Sequence, residues 1–326
     1  MVKYLGWVQR STEKFINKRL EAKEPVKRTF KGELLSWLDA IVFAVVFVLI
    51  INQYLFQLFM IPSPSMVETL LIKDRVFVSK TSYGLELYPG GPKVLDKKFP
   101  LRDDVIVFYN PEYQSKGPIF DILSQMIYMA TFSLINIDVD EMGNMRERLY
   151  VKRAALSSGE IGLFVNGNLK IRTLDQNEFF DEESFRANSN LSVAPHRSLD
   201  NSIYKNLDAY GSLLAYQNSN KDSFAPRYLI QRYQELSEYK GSVDYYQVDK
   251  TRTLVEKQIN PMDKVARYNA NKYSKGIYVP ENHVLPLGDN RDNSQDGRYF
   301  GPVSYKKIIG SVKFRFWPIS RMGKVR

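Results

Sequence analysis

The dominant feature of the hydropathy pattern is a long apolar run close to the N-terminus. Residues 40–51 (AIVFAVVFVLII) are uniformly apolar, and residues 54–61 (YLFQLFMI) continue the run beyond two amide side chains. A helix needs about 20 residues to cross the hydrocarbon core of a bilayer, and aromatic residues favour its two interfaces. Trp37 and Tyr54 stand near the ends of such a stretch. The pattern therefore predicts a transmembrane anchor over residues 34–60.

Positive charge is concentrated before this run. Residues 1–33 contain nine Lys or Arg and four Glu, so half of the net charge of +10 lies there. Segments beside membrane spans carry this bias on the cytoplasmic side, which favours a basic cytoplasmic tail over a nucleic-acid interface. No small-residue cleavage site follows the apolar run. We therefore expect a retained single-pass anchor in the cell (inner) membrane, with the chain after about residue 60 on the extracytoplasmic, periplasmic side.

Alternating apolar and polar positions follow the anchor. Residues 74–84, 102–112 and 146–156 alternate as strands do, and 163–171 reads as a hairpin with Asn166-Gly167 at its turn. The pattern predicts a mainly β, antiparallel domain with one N-terminal transmembrane helix and a partly helical insertion. We divide the domain into a first part at 61–171, an insertion or second subdomain at 172–275 and a final part at 276–326.

Two serines lie directly after the anchor, in residues 60–70 (MIPSPSMVETL). Pro62 and Pro64 each favour an extended conformation in the preceding residue, and side chains alternate in extended backbone. Ser63 and Ser65 should therefore point to the same side, as a nucleophile and a neighbouring hydrogen-bond donor would. A Ser/Pro linker beside the membrane has the same composition, so this motif alone does not establish a site.

A lysine in the third strand-like run is a candidate general base. In LYVKRAAL (149–156), Tyr150, Lys152 and Ala154 share one face. Burial can lower a lysine pKa by up to about 3–5 units, which makes a neutral amine available near neutral pH. The alternative is an exposed strand lysine. The chain has no cysteine and two histidines, His196 and His283, which leaves little material for thiol, Ser-His-Asp or multi-histidine metal chemistry.

Together these segments resemble a known family. An N-terminal anchor, then PSPSM (62–66), Tyr150 with Lys152-Arg153, and GDNRDNSQDGRYFGPV (288–303) occur in the order seen in bacterial type I signal peptidases, the Ser/Lys-dyad leader peptidases of family S26. The resemblance implies a signal-peptidase-like antiparallel β-sheet and a membrane-bound serine endopeptidase that removes signal peptides from exported preproteins. It implies neither a metal nor a cofactor, and it leaves the oligomeric state open.

The resemblance also implies roles for individual residues. Ser65 would be the nucleophile and Lys152 its general base, with Ser63 as an oxyanion donor and Ser294 orienting the lysine. Structural ion pairs would join Asp289 to Arg153 and Asp296 to Arg298. The substrate pocket, which accepts small side chains at positions −1 and −3 of a signal peptide, would be lined by Phe59, Ile61, Met66, Leu70, Tyr150 and Val151.

Some positions depart from the family pattern and keep other functions open. Pro64 stands where a small residue is usual, and Glu68 stands where proline is usual. Leu287 stands where methionine often precedes the motif at 288–303, called here the final block. A catalytically impaired homologue that binds signal peptides or the membrane surface without cleaving is the main alternative. For the final block, the spacing of Asp292, Ser294 and Asp296 also imitates a calcium loop, although Val303 replaces its terminal Glu.

A second apolar segment, residues 118–138, has helical spacing. If it crossed the membrane, Ser65 and Lys152 would lie on opposite sides and could not meet. We therefore expect an amphipathic helix that either lies on the outer leaflet or packs against the β-domain. The insertion at 172–275 has partial helical patterns at 202–216, 226–239 and 249–259. Its sequence does not indicate its role.

Overall fold

The computed structural model describes residues 30–94, 98–131, 134–143, 146–188 and 195–325. Most of the predicted basic tail, residues 1–33, lies outside the described residues. The chain divides between Val48 and Leu49 into two compact units, of which the second contains the sheets and the insertion.

Eight helices are present among the described residues. They are α1 (Phe30–Tyr54), α2 (Pro118–Ala130), α3 (Glu182–Asn188), α4 (Ile203–Asn218), α5 (Arg227–Ser237), α6 (Tyr245–Ile259), α7 (Lys264–Lys275) and α8 (Gly297–Phe300). Short 3-10 helices occupy Pro64–Met66, Asp222–Phe224, Tyr305–Lys307 and Ile319–Arg321.

The strands of the described residues number fourteen. They are β1 (Phe56–Met60), β2 (Arg75–Ser79), β3 (Leu85–Glu86), β4 (Lys93–Val94), β5 (Val105–Tyr109), β6 (Leu149–Leu156), β7 (Glu160–Val165), β8 (Asn168–Thr173), β9 (Phe180–Asp181), β10 (Ile277–Tyr278), β11 (His283–Leu287), β12 (Val303–Ser304), β13 (Ile308–Trp317) and β14 (Gly323–Lys324).

Helix α1 is the only helix in the described part of the chain that is long and apolar enough to cross a membrane. It ends at Tyr54, earlier than the predicted anchor end at residue 60. Residues 56–60 instead form β1, which pairs antiparallel with β2. The burial of these residues alternates as in a strand: Gln57 and Phe59 are buried, and their neighbours are more accessible. The segment is therefore part of the sheet and does not continue the helix.

The main sheet is antiparallel, in the order β1-β2-β13-β5-β6-β11-β12, with β14 added to β13. Strand β6, which carries Lys152, is therefore covered by β5 on one side and β11 on the other. Because side chains alternate along a strand, the sheet buries two apolar faces. Val105 and Val107 of β5 belong to one core cluster, and Ile106 and Phe108 to the other.

The predicted hairpin is confirmed by the pairing of β7 with β8. Asn166 and Gly167 both have positive φ, 48° and 71°, as the tight turn of such a hairpin requires. Strands β10 and β9 extend this hairpin into a second, four-stranded sheet. The predicted mainly β class with a helical insertion is therefore confirmed.

The insertion builds its own small core from helices α4, α5 and α6. Leu199, Tyr204, Leu207, Leu236 and Val248 are its buried members. The helices predicted at 202–216, 226–239 and 249–259 correspond to α4, α5 and α6. Helices α3 and α7 add turns that the sequence pattern did not indicate.

Candidate active site

Ser65 and Lys152 meet in the structure. Ser65 lies in the 3-10 turn that follows β1, and Lys152 lies in the middle of β6, 87 positions further along the chain. The Lys152 Nζ donates a hydrogen bond to the Ser65 Oγ at 2.7 Å. This distance is within the range needed for direct proton transfer between the two side chains.

The lysine is held in a nearly dry environment. Its side chain is buried, and its Nζ lies 5.3 Å from the centre of the Tyr150 ring. Burial lowers the pKa of Lys152 to about 8, although the carboxylates of Asp296, Glu147 and Asp289 act in the opposite direction. At this pKa, about one molecule in ten carries a neutral amine at pH 7, compared with about one in several thousand at the ordinary value.

Ser63 adds a second hydroxyl beside that of Ser65. Its Oγ donates to the Ser65 Oγ at 3.3 Å. Ser63 has extended backbone, as Pro64 requires of its predecessor, while Ser65 turns into the 3-10 helix rather than continuing the extended segment. The two hydroxyls nevertheless lie together.

The final block of the chain contacts the 3-10 turn that contains Ser65, called here the serine turn. The Asn290 backbone N–H donates to the Ser65 carbonyl at 3.1 Å, and its side-chain amide donates to the Pro64 carbonyl at 3.2 Å. Gly288 lies against the same turn, where a Cβ atom would stand 2.6 Å from the Ser65 carbonyl oxygen. The sequence pattern indicates no role for Asn290 or Gly288, although both lie inside the motif at 288–303.

A buried bidentate ion pair joins the lysine strand to this block. Arg153 Nε and Nη2 each lie 2.7 Å from an oxygen of Asp289. Thr69 Oγ1 donates to the same carboxylate at 2.6 Å and accepts from Arg153. Because Arg153 follows Lys152 directly, this pair fixes the strand position next to Lys152.

A second buried pair lies within the block. Arg298 Nε donates to an Asp296 oxygen at 2.9 Å, and the other oxygen accepts from the Gly288 N–H at 3.0 Å. Burial by itself would raise the pKa of Asp296, but Arg298 and the backbone donors hold it below its ordinary value.

Ser294 does not make the contact that the resemblance implies. Its Oγ is buried and has no hydrogen-bond partner among the described residues.

In the segment whose spacing imitates a calcium loop, the carboxylates accept hydrogen bonds from protein donors. Asp292 accepts from Arg197 at 2.9 Å and from the backbone N–H groups of Ser198 and Leu199 at 2.6 and 2.9 Å.

The predicted pocket residues lie on both faces of β6. Phe59, Ile61, Met66 and Leu70 are buried members of one cluster, and Val151 packs against it. Tyr150 belongs to the cluster on the other face. A cavity of about 310 Å³ opens on the Val151 side, and its walls include Phe59, Pro62, Val107 and Leu149. The α2 residues Ser124, Gln125 and Tyr128 close it.

The insertion is attached to the final block by contacts that spacing could not reveal. Arg291 makes a buried bidentate pair with Glu182 of α3, at 2.6 and 2.7 Å. His196 exchanges backbone hydrogen bonds with Asp289 and Arg291, and its ring lies 3.2 Å from Glu68. The insertion therefore supports the segment that contacts the Ser65 turn.

Comparison with known proteins places the chain in a family. Residues 34–317 match the family described as signal peptidase, peptidase S26. The signal peptidase I of Helicobacter pylori (strain ATCC 700392 / 26695) is 25% identical over 305 residues, covering 87% of this chain and 81% of the relative. That of Buchnera aphidicola subsp. Schizaphis graminum is 24% identical over 299 residues, covering 85% and 77%.

A shorter match has higher sequence identity. Subunit 1 of the mitochondrial inner membrane protease of Mus musculus is 49% identical over 49 residues, 15% of this chain and 30% of that protein. Because the family match extends over most of the residues, the chain belongs to the signal peptidase family, peptidase S26. It is a peptidase, and helix α1 supports its anchoring in a membrane.

Proposed function

We propose that this chain is a membrane-bound serine endopeptidase that removes N-terminal signal peptides from exported preproteins, with Ser65 as nucleophile and Lys152 as general base. The observation that carries the proposal is the 2.7 Å contact between the buried Lys152 amine and the Ser65 hydroxyl. A serine hydroxyl becomes an effective nucleophile only when an adjacent base removes its proton.

The reaction follows from this geometry. Ser65 Oγ attacks the scissile carbonyl carbon while Lys152 Nζ takes the hydroxyl proton. The Ser63 hydroxyl and the Ser65 backbone N–H stabilise the oxyanion that forms. The C–N bond then breaks as Lys152 returns the proton to the leaving amine. A water molecule, deprotonated by Lys152, attacks the acyl-enzyme ester, and the proton is returned to Ser65 Oγ.

The positive-inside bias supports a topology for this reaction. The excess of Lys and Arg in residues 1–33 favours an N-terminus in the cytoplasm and a catalytic sheet on the extracytoplasmic side of the cell membrane. The substrates are then preproteins whose signal peptides emerge from the bilayer, with small residues at positions −1 and −3 next to the pocket of Phe59 and Val151.

The direct test uses the full chain reconstituted in liposomes and a preprotein with alanine at −1 and −3. We expect one cleavage after position −1, shown by N-terminal sequencing of the product, and no cleavage of a matched preprotein with a large residue at −1. Binding of the preprotein without any product would instead identify an impaired homologue that only binds signal peptides.

The pH dependence of the reaction should reflect the pKa of Lys152. Because the neutral amine is the active form and the pKa of Lys152 is about 8, kcat/KM should rise with pH up to that value and then level off. Lys80 is a matched control, since burial also lowers its pKa to about 8. A Lys80→Met variant should keep the profile, and a flat wild-type profile between about pH 6 and 9 would contradict the assignment of Lys152 as base.

Gly288 gives a test of how the serine turn is held. In Gly288→Ala, the new Cβ would stand 2.6 Å from the Ser65 carbonyl oxygen and would also meet the Ser294 side chain. The turn must shift, and a displacement of about 1 Å can cost about 10²-fold in rate. Gly323→Ala, where a Cβ meets nothing within 4 Å, is the control. Equal preprotein processing by both variants would contradict this account.

A further inference from the structure

Helix α2 has the polarity of its faces reversed relative to a helix of a soluble domain. Ile119 and Leu123 are 76% and 52% exposed, and Met126 and Ile127 on the same face are also exposed. A surface helix of a water-soluble protein turns its apolar stripe to the core and its polar face to solvent. The exposed apolar side continues beyond the helix at Leu134 and Ile135.

The opposite face of α2 is polar and turned inward. Ser124 and Gln125 are 3% and 5% exposed, and with Tyr128 they form the wall of the cavity beside Val151. Arg148, which directly precedes β6, donates to the Asp121 carbonyl at 2.6 Å and to Ser124 Oγ at 3.3 Å. These hydrogen bonds attach the polar side of the helix to the sheet. The apolar side therefore faces away from the sheet and is exposed.

The end of α2 is attached to the end of the membrane anchor. The Asn52 side-chain amide donates to the Met129 carbonyl at 3.4 Å, and both residues are buried. Asn52 lies in the last turn of α1, inside the same compact unit as the sheet, and Ile50 and Leu55 beside it are exposed apolar residues. The C-terminal end of α2 therefore lies beside the last turn of α1.

Length decides how α2 can meet the bilayer. Its 13 residues span about 20 Å, shorter than the roughly 30 Å hydrocarbon core. We propose that α2 lies in the membrane interface on the side of the catalytic sheet, with Ile119, Leu123, Met126 and Ile127 immersed in lipid and its polar face covering the substrate cavity. An interfacial helix of this kind is buried by about 5–10 Å at the headgroup boundary.

The test reads the position of single spin labels in the full chain reconstituted in liposomes. Because the sequence contains no cysteine, Ile119→Cys and Leu123→Cys each give one labelling site. Met262→Cys is the matched control, since Met262 is an equally apolar residue, 86% exposed, in the turn between α6 and α7. Collision with dissolved oxygen reports lipid, and collision with a water-soluble nickel complex reports solvent.

We expect labels at 119 and 123 to collide more with oxygen than with nickel, at a depth of about 5–10 Å below the phosphates, and the label at 262 to show the reverse. Labels at 119 and 123 that behave as the control does would overturn the proposal. So would labels shielded from both reagents, because these would mark a protein partner such as a second copy of this chain.

A second measurement links this surface to the reaction. The double variant Ile119→Lys with Leu123→Lys should process a membrane-inserted preprotein more slowly than wild type and cleave a short soluble peptide at the wild-type rate. Equal loss on both substrates would indicate damage to the fold and contradict the specific role. The spin-label result does not depend on cleavage, so failure of the proposed peptidase function would be seen separately.

Discussion

Replacing either Ser65 or Lys152 by alanine should lower preprotein processing by at least about 10³-fold. Without the Ser65 hydroxyl no acyl-enzyme can form. Without the Lys152 amine, the hydroxyl keeps its proton at neutral pH, because no other amine contacts it within the described residues. The measurement is the initial rate of product formation from a preprotein in liposomes, with a detection limit well below the expected residual rate.

Two controls separate chemistry from folding. Lys152→Met keeps the size of the side chain and removes a buried amine, so it should be inactive while unfolding at or above the wild-type temperature. The double variant Ser65→Ala with Lys152→Ala should be no slower than either single variant, because residues that act as one unit lose their effect together. Processing within about tenfold of wild type in either single variant would refute the dyad.

The elements predicted correctly from sequence are those whose signal is local. Asn166-Gly167 marks a turn because both residues must adopt positive φ, and the flanking residues alternate. The hydropathy pattern predicts an anchor that continues to residue 60, because apolar content extends from α1 into β1, whereas α1 ends at Tyr54. Hydropathy also does not reveal the tertiary contact of the last helical turn, where the buried Gln53 side chain donates to the Glu86 carbonyl at 2.9 Å.

For the candidate site as well, some features follow from the sequence pattern and others are visible only in the folded chain. The period of two along β6 predicts that Lys152 shares a face with Tyr150 and Ala154, but it leaves an exposed lysine as the alternative. The buried position of the Lys152 side chain is a finding of the structure. The support from the insertion could not be predicted, because it depends on pairs such as Arg197 with Asp292, separated by 95 positions. No spacing rule predicts that such residues meet. Only the folded chain shows that the insertion is bonded to the final block.

The buried pair of Arg153 and Asp289 should be the most sensitive point of this support for stability. Their side chains are 1% and 3% exposed. Asp289→Ala removes the carboxylate and leaves the guanidinium charge in the interior, which typically costs about 3–5 kcal/mol because a buried charge loses its partner. The free energy of unfolding, measured by urea denaturation of the full chain in detergent, should fall by this amount.

The matched comparison is an ion pair in water. Lys170 and Asp181 lie 3.4 Å apart with side chains 36% and 63% exposed, so Asp181→Ala should cost at most about 1 kcal/mol. The double variant Arg153→Met with Asp289→Leu removes both buried charges and should recover much of the loss seen in Asp289→Ala, since no charge is then left without its partner. If Asp289→Ala and Asp181→Ala destabilise the protein equally, the Arg153 pair does not hold the lysine strand to the final block, and the position of Lys152 must depend on the pairing of β6 with β5 and β11 alone.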